Sequence, residues 1–177
     1  MIDIKDAKLQ VDDMTKSLSE IVNDIVDKQS KTLDDLVKKL HKVDELTNDE
    51  IRKLLISVSV EAYILSNYKE QSSLKESCAT ALYKEGIANS YNTNSGTVES
   101  RKNQSLQDNL DKQVVNILYS NVCDRFTAKV HEAHKLASVL SNILISRASD
   151  AKLYYNPRSE GTEGMVTITE DGELEVF

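Results

Sequence analysis

Apolar residues recur along most of this chain at steps of three and four, the spacing that keeps side chains on one side of an α-helix. The longest such run extends from Thr97 to Tyr155 without a proline or a glycine. Its stripe is Val115, Leu118, Val122, Phe126, Val130, Ala133, Ala137, Leu140 and Leu144. One unbroken helix there would be roughly 90 Å long at about 1.5 Å per residue. A helix of that length cannot hide its stripe against a compact body of its own, so lengthwise packing on other helices is expected.

The same periodicity organises the first half. Val11, Met14, Leu18, Ile21 and Ile25 step 3, 4, 3, 4, a short coiled-coil seam with charged residues around it. The phase is lost between Lys28 and Lys31 and restarts at Leu33, Leu36, Leu40 and Val43; Thr32 with Asp35 resembles a helix start, which predicts a break near Ser30. Thr47-Asn48-Asp49-Glu50 fits a capping box and predicts a new helix over 48–85. Its stripe is Ile51, Leu54, Leu55, Val58, Ala62, Leu65 and Tyr68, resuming at Leu74, Cys78, Ala81 and Leu82, with a kink plausible near Ser72. Clustered Asn, Ser, Thr and Gly between Gly86 and Gly96 predict a loop, after which residues 97–155 return antiparallel as an αα-hairpin.

Asn156-Pro157 ends the helical run, because the residue before proline is pushed out of helical geometry. From Val166 to Val176 apolar and polar residues alternate on both sides of Asp171-Gly172, a two-residue hairpin signal. The expected fold is therefore all-α, an extended helical hairpin or bundle of coiled-coil character with a small C-terminal β-hairpin. Three segments follow: an acidic helical segment at 1–46, the long hairpin at 47–155 with its loop at 86–96, and an acidic tail at 156–177 carrying the β-hairpin at 165–177.

Composition supports extended helices: the 177 residues include no tryptophan, one proline and five glycines. The net charge of −7 is uneven. Residues 1–50 carry 13 acidic and 8 basic side chains, residues 51–155 carry 10 and 13, and residues 156–177 carry 6 and 1. That distribution argues against a general nucleic-acid coat but permits a local basic track. No signal peptide opens the sequence, no apolar run nears the ~18 residues of a membrane span, and Cys78 and Cys123 read as reduced thiols, which together point to the cytoplasm.

Catalytic patterns are lacking. There is no phosphate-cradling glycine loop, no nucleophile elbow and no C-x-x-C. His131 and His134 flank Glu132 at a spacing that is not H-E-x-x-H, His41 is distant, and no metal or other cofactor is expected. The carboxylates read as solvated helix faces, with no acidic residue in an apolar setting and no general acid–base pair. A non-enzymatic protein is expected. The more pointed constellation is basic and aromatic: Tyr63, Tyr68, Tyr83 and Tyr91 accompany Lys69, Lys75 and Lys84, with Arg101 and Lys102 across the loop. Such residues can track phosphates while bases stack on the rings. The competing reading makes the tyrosines edge-of-core residues and the lysines a solubilising face.

Residues 60–150 also carry a resemblance. Tyr63-Ile-Leu-Ser-Asn-Tyr68 leads into Ser73-Leu74-Lys75; the loop from Tyr91 to Gly96 and then Arg101-Lys102 follow. After them comes a helix containing Val115-Asn-Ile-Leu-Tyr119 and ending at Ile145-Ser-Arg147. That order resembles the UvsY-type recombination mediators of T-even phages and related small helical replication and recombination proteins. The resemblance implies an oligomer in the cytoplasm of an infected bacterium that binds single-stranded DNA, a recombinase and a single-strand-binding protein. By resemblance and charge, Lys69, Lys75, Lys84, Arg101 and Lys102 are the expected nucleic-acid contacts. Val115, Leu118, Val122, Phe126, Leu140 and Leu144 are the expected oligomerisation stripe. Two further readings are an acidic inhibitor or anti-defence factor that occupies a basic surface on a host or phage protein, and a scaffold built on coiled-coil contacts alone.

Overall fold

A computed structural model describes residues 4–40, 42–154, 166–168 and 174–176, with side chains described for 8–40 and 42–149. The described residues between 4 and 154 are all-α, with helices α1 (Ile4–Leu40), α2 (Asn48–Thr93), α3 (Val98–Gln107) and α4 (Leu110–Tyr154). Met1–Ser141 form one compact unit and Asn142–Phe177 a second. The Asp171-Gly172 turn of the expected C-terminal hairpin lies outside the described residues, as does His41.

α1 runs unbroken through Ser30, where a break was expected. The reason is a second stripe that the seam reading overlooked: Val22, Val26, Ser30, Leu33 and Leu36 are all buried, at helical steps that carry straight through the phase change. Lys28, Gln29 and Lys31 are exposed, outside that stripe, and need no turn.

A 3₁₀ turn at Val43–Glu45 links α1 to α2. The start of α2 is the expected capping box: Thr47 donates its backbone N–H to Glu50 Oε2 at 2.8 Å, and Glu50 N–H donates to Thr47 Oγ1 at 3.3 Å. The Thr47 backbone and hydroxyl bonds hold the exposed Glu50 carboxyl below its ordinary pKa.

Within the first unit α1 packs along α2. α4 runs antiparallel to α2, since later residues on one meet earlier residues on the other. Thr80 Oγ1 donates to Asn116 Oδ1 at 2.7 Å, and the Tyr68 ring stacks on Phe126 with centroids 5.8 Å apart. Lys129 of α4 reaches Asp34 of α1 at 2.8 Å and Glu132 at 3.1 Å, which closes the third side. Burial pulls the Lys129 pKa down, but the hydrogen bonds it donates to Asp34 and Glu132 outweigh that and hold the group above its ordinary value. The core is thus one seam of a three-helix bundle, with Val22, Val26, Leu33 and Leu36 facing Ile51, Leu54, Val58, Ala62 and Leu65, and Val122, Phe126, Ala133, Leu136 and Leu140 completing it.

Two boundaries differ from expectation at the hairpin tip. α2 continues through Gly86 to Thr93, leaving a loop only at 94–97 around Gly96, whose φ of +116° needs a glycine. Buried Ser72, Ala79 and Gly86 recur every seventh residue on α2, so small side chains mark its inner line toward the tip. The return helix, expected as one piece from 97 to 155, is split at Asp108-Asn109 into α3 and α4. Thr97 caps α3 by accepting the Ser100 N–H at 3.2 Å. Asn109 then turns its amide inward, donating to Ser105 O at 2.9 Å and Ser90 Oγ at 3.0 Å while Oδ1 accepts from Lys112 at 2.9 Å. α3 packs against α2 through this polar knot.

Candidate interaction surfaces

The expected basic track does not assemble on one side of the chain. At 3.6 residues per turn, Lys69 and Lys75 point about 120° apart around α2, and Lys75 and Lys84 about 180° apart. Lys69 is half-buried, while Lys75, Lys84 and Lys102 are exposed. Two of the cations already face rings of their own chain. The Arg101 guanidinium carbon lies 4.6 Å from the Tyr91 ring centroid, and Lys75 Nζ lies 5.8 Å from that of Tyr119. Tyr68 is spent on Phe126, and only Tyr63, at 70% exposure, presents an open aromatic surface on this stretch.

The expected oligomerisation stripe serves the chain's own interior. Val122, Phe126 and Leu140 are buried in the three-helix core, Leu118 and Leu144 are half-buried, and Val115 is exposed. What is left uncovered lies elsewhere. On α1, Val11, Met14 and Ile21 of the 3-4-3-4 seam are exposed together with Leu9, and Leu18 and Ile25 are half-buried. On α2, Ile56, Val60, Tyr63, Ile64, Leu74 and Leu82 are exposed. These share a face with Cys78 and Ala81, also exposed, on the side of α2 opposite the buried residues.

That second face corrects the phase of the α2 stripe. Leu74, Cys78, Ala81 and Leu82 look like a continuation of the Ile51–Tyr68 stripe, yet Ser72 and Ala79 take the inward positions and the larger residues point out. Small residues inside and large ones outside is the signal that could have shown this in the sequence.

His131 and His134 are exposed, and among the described residues no three His, Cys, Asp or Glu side chains converge as metal ligands. Burial, with Glu76 and Asp124 nearby, raises the Cys123 thiol pKa and disfavours the reactive thiolate. A groove of about 360 Å³ at the α1–α2 turn is lined by Leu36, Leu46 and Leu54 together with Lys39, Lys42, Lys53 and Glu50.

Glu61 is the residue the sequence reading missed. It is 5% exposed, one step from Val58 and Leu65 on the inner face of α2, and burial raises its carboxyl pKa above the ordinary 4.5. The folded chain therefore holds this proton more tightly than the unfolded chain. Stability tied to Glu61 is greatest at low pH and declines as pH rises from about 4.5 toward neutrality. Glu61→Gln, uncharged throughout, should raise the melting temperature at pH 7 by roughly 2–4 °C and change it less at pH 4. Thermal melts at the two pH values, followed by far-UV circular dichroism, check this.

Compared with known proteins, the chain matches no protein family, no curated sequence and no solved structure. No helix among the described residues is long and apolar enough to cross a membrane.

Proposed function

We propose that this chain is a non-enzymatic helical interaction protein that works by docking exposed apolar helix faces on other helices. The observation that carries this is the outer face of α2, where Ile56, Val60, Tyr63, Leu74 and Leu82 are each more than half exposed along a helix whose other side is already buried. A helix that is apolar on two opposite sides belongs between two partners. A photo-crosslinking residue placed at Leu74 should form covalent adducts with protein, either a second copy or a different chain from the native extract. The same residue at Ser77, outside the stripe, should form far fewer. No adduct at Leu74 in either setting would remove this reading.

A second reading keeps single-stranded DNA and the phage-type recombination role. It draws on the tip, where Arg101 lies over Tyr91 and Lys84 and Lys102 stay exposed. Arg101→Ala with Lys102→Ala should then weaken single-strand binding several-fold and flatten the log–log salt slope by about 1–2. Fluorescence anisotropy at about 50 and 200 mM salt measures both quantities, and unchanged affinity counts against the tip.

The C-terminal segment fits the docking reading as an acidic hairpin. Strands β1 (Val166–Ile168) and β2 (Leu174–Val176) pair antiparallel, with Val166 opposite Val176. An isolated two-stranded hairpin is marginal in water, so this segment too would gain by docking. The excess of acidic residues there suits a basic surface on a partner.

A further inference from the structure

The outer face of α2 has an internal symmetry that selects its occupant. Along the centre line of that face the exposed positions are Lys53, Ile56, Val60, Ile64, Asn67, Gln71, Leu74, Cys78, Leu82 and Glu85, with Tyr63 and Ala81 beside it. Their spacing of 3, 4, 4, 3, 4, 3, 4, 4, 3 reads the same in both directions. The chemistry mirrors as well, about the backbone position of Lys69: Ile56 answers Leu82, Val60 answers Cys78, Ile64 answers Leu74, and Asn67 answers Gln71. At the two ends the answering residues are Lys53 and Glu85, of opposite charge.

We infer that this face is the seat of a second copy of the same chain, with the two α2 helices antiparallel across a two-fold axis near Lys69. This rests on the docking reading above and names its occupant. An isologous contact requires a patch complementary to itself after rotation, and the mirrored pattern meets that requirement. Along that line each apolar residue meets an apolar residue of the other copy and each Lys53 meets the other copy's Glu85, while Tyr63 and Ala81 at the edge come level with Lys75 and Ser57. Asn67 and Gln71 face each other twice at the axis, where paired amides fix register much as a buried Asn does in a coiled coil. A parallel pairing would instead set Lys53 on Lys53 and Glu85 on Glu85. The mean spacing of about 3.6 residues matches a straight α-helix, so the two helices can stay in contact along the stripe without strong supercoiling.

The size is sufficient. Ile56, Val60, Tyr63, Ile64, Leu74 and Leu82 are 64, 53, 70, 38, 66 and 59% exposed. Together they present on the order of 700 Å² per copy, so two copies can cover about 1,400 Å², within the range of stable specific interfaces.

A disulfide tests the register directly. Cys78 is exposed, and Val60 is its mirror position. Within one chain the two are about 27 Å apart along the helix and cannot join, whereas the proposed dimer brings Val60→Cys against Cys78 of the other copy twice. The full-length Val60→Cys protein, mildly oxidised, should run almost entirely as a covalent dimer on a non-reducing gel. The wild type, whose two Cys78 residues are then also about 27 Å apart, should remain uncrosslinked, and Cys78→Ser added to Val60→Cys should abolish the product. Sedimentation should find the wild type dimeric at about 100 μM and Leu74→Glu monomeric with unchanged helicity.

A wild-type monomer at that concentration overturns the proposal. So does a dimer in which Val60→Cys fails to crosslink, because the contact then lies on another surface. Crosslinking of wild-type Cys78 to Cys78 overturns the antiparallel register. Photo-adducts from position 74 to a different protein, with no self-dimer, would sink this inference and leave the docking function standing.

Discussion

Phe126→Ala is expected to lower the folding free energy by about 3–5 kcal/mol, the largest single loss available in the described core. Phe126 is 2% exposed and is the bulkiest of the fully buried side chains, in a seam whose other apolar members are Val, Leu, Ile and Ala. Truncation leaves a cavity where α2 and α4 are held by the Tyr68 stack, and long helices cannot collapse locally to fill it without shifting their whole register. A domain of this kind has about 5–15 kcal/mol to spare, so the variant should sit near the edge of folding at 37 °C. Urea titration followed by circular dichroism should show a much lower midpoint at an unchanged slope. Tyr68→Phe, which keeps the ring and loses only a hydroxyl, should cost far less. Equal stability of Phe126→Ala and wild type would mean that α2 and α4 do not pack through this pair.

The helices themselves were legible because their cause is local. The three-and-four spacing, the Thr47–Glu50 capping box and the Gly96 turn each act within a few residues. What was harder to read was which apolar stripe goes inside. α1 carries two overlapping stripes, and the regular Val11–Ile25 seam is the more conspicuous, yet Val22, Val26, Leu33 and Leu36 are the ones buried. The choice is made by the neighbouring helices, which no spacing rule within α1 contains. The same holds on α2, where Ser72, Ala79 and Gly86 go inward because small residues permit close approach, and Leu74 and Leu82 are left outside. The basic residues failed to align for a related reason: proximity in sequence says nothing of azimuth, and Lys69, Lys75 and Lys84 diverge once the helix is continuous. The helix through residues 86–93 runs against local preference for Asn, Ser and Thr. It is held by contacts from residues far along the chain, such as Asn109 on Ser90.

That contact makes Gly86 the second most sensitive position. In an exposed helix, replacing glycine would stabilise by roughly 1 kcal/mol through propensity alone. Here a Cβ at Gly86 would overlap the side-chain amide of Asn109 and crowd the Lys112 ammonium. Lys112 is long and can move aside, but Asn109 is short, 2% exposed and tied to Ser90, Ser105 and Lys112 at once. Pushing it out leaves buried polar groups without partners, a cost that exceeds the propensity gain. Gly86→Val adds a branched side chain at the tightest point and should destabilise by about 2–3 kcal/mol. The damage should be local first: hydrogen exchange should quicken across residues 86–112 while the amides around Val58 and Leu136 keep their protection. Slow exchange at the tip of Gly86→Val, with a melting temperature at or above wild type, would mean that α2 and the α3–α4 junction do not approach closely. The Asn109 knot would then not be what stops the return helix from running straight from Thr97.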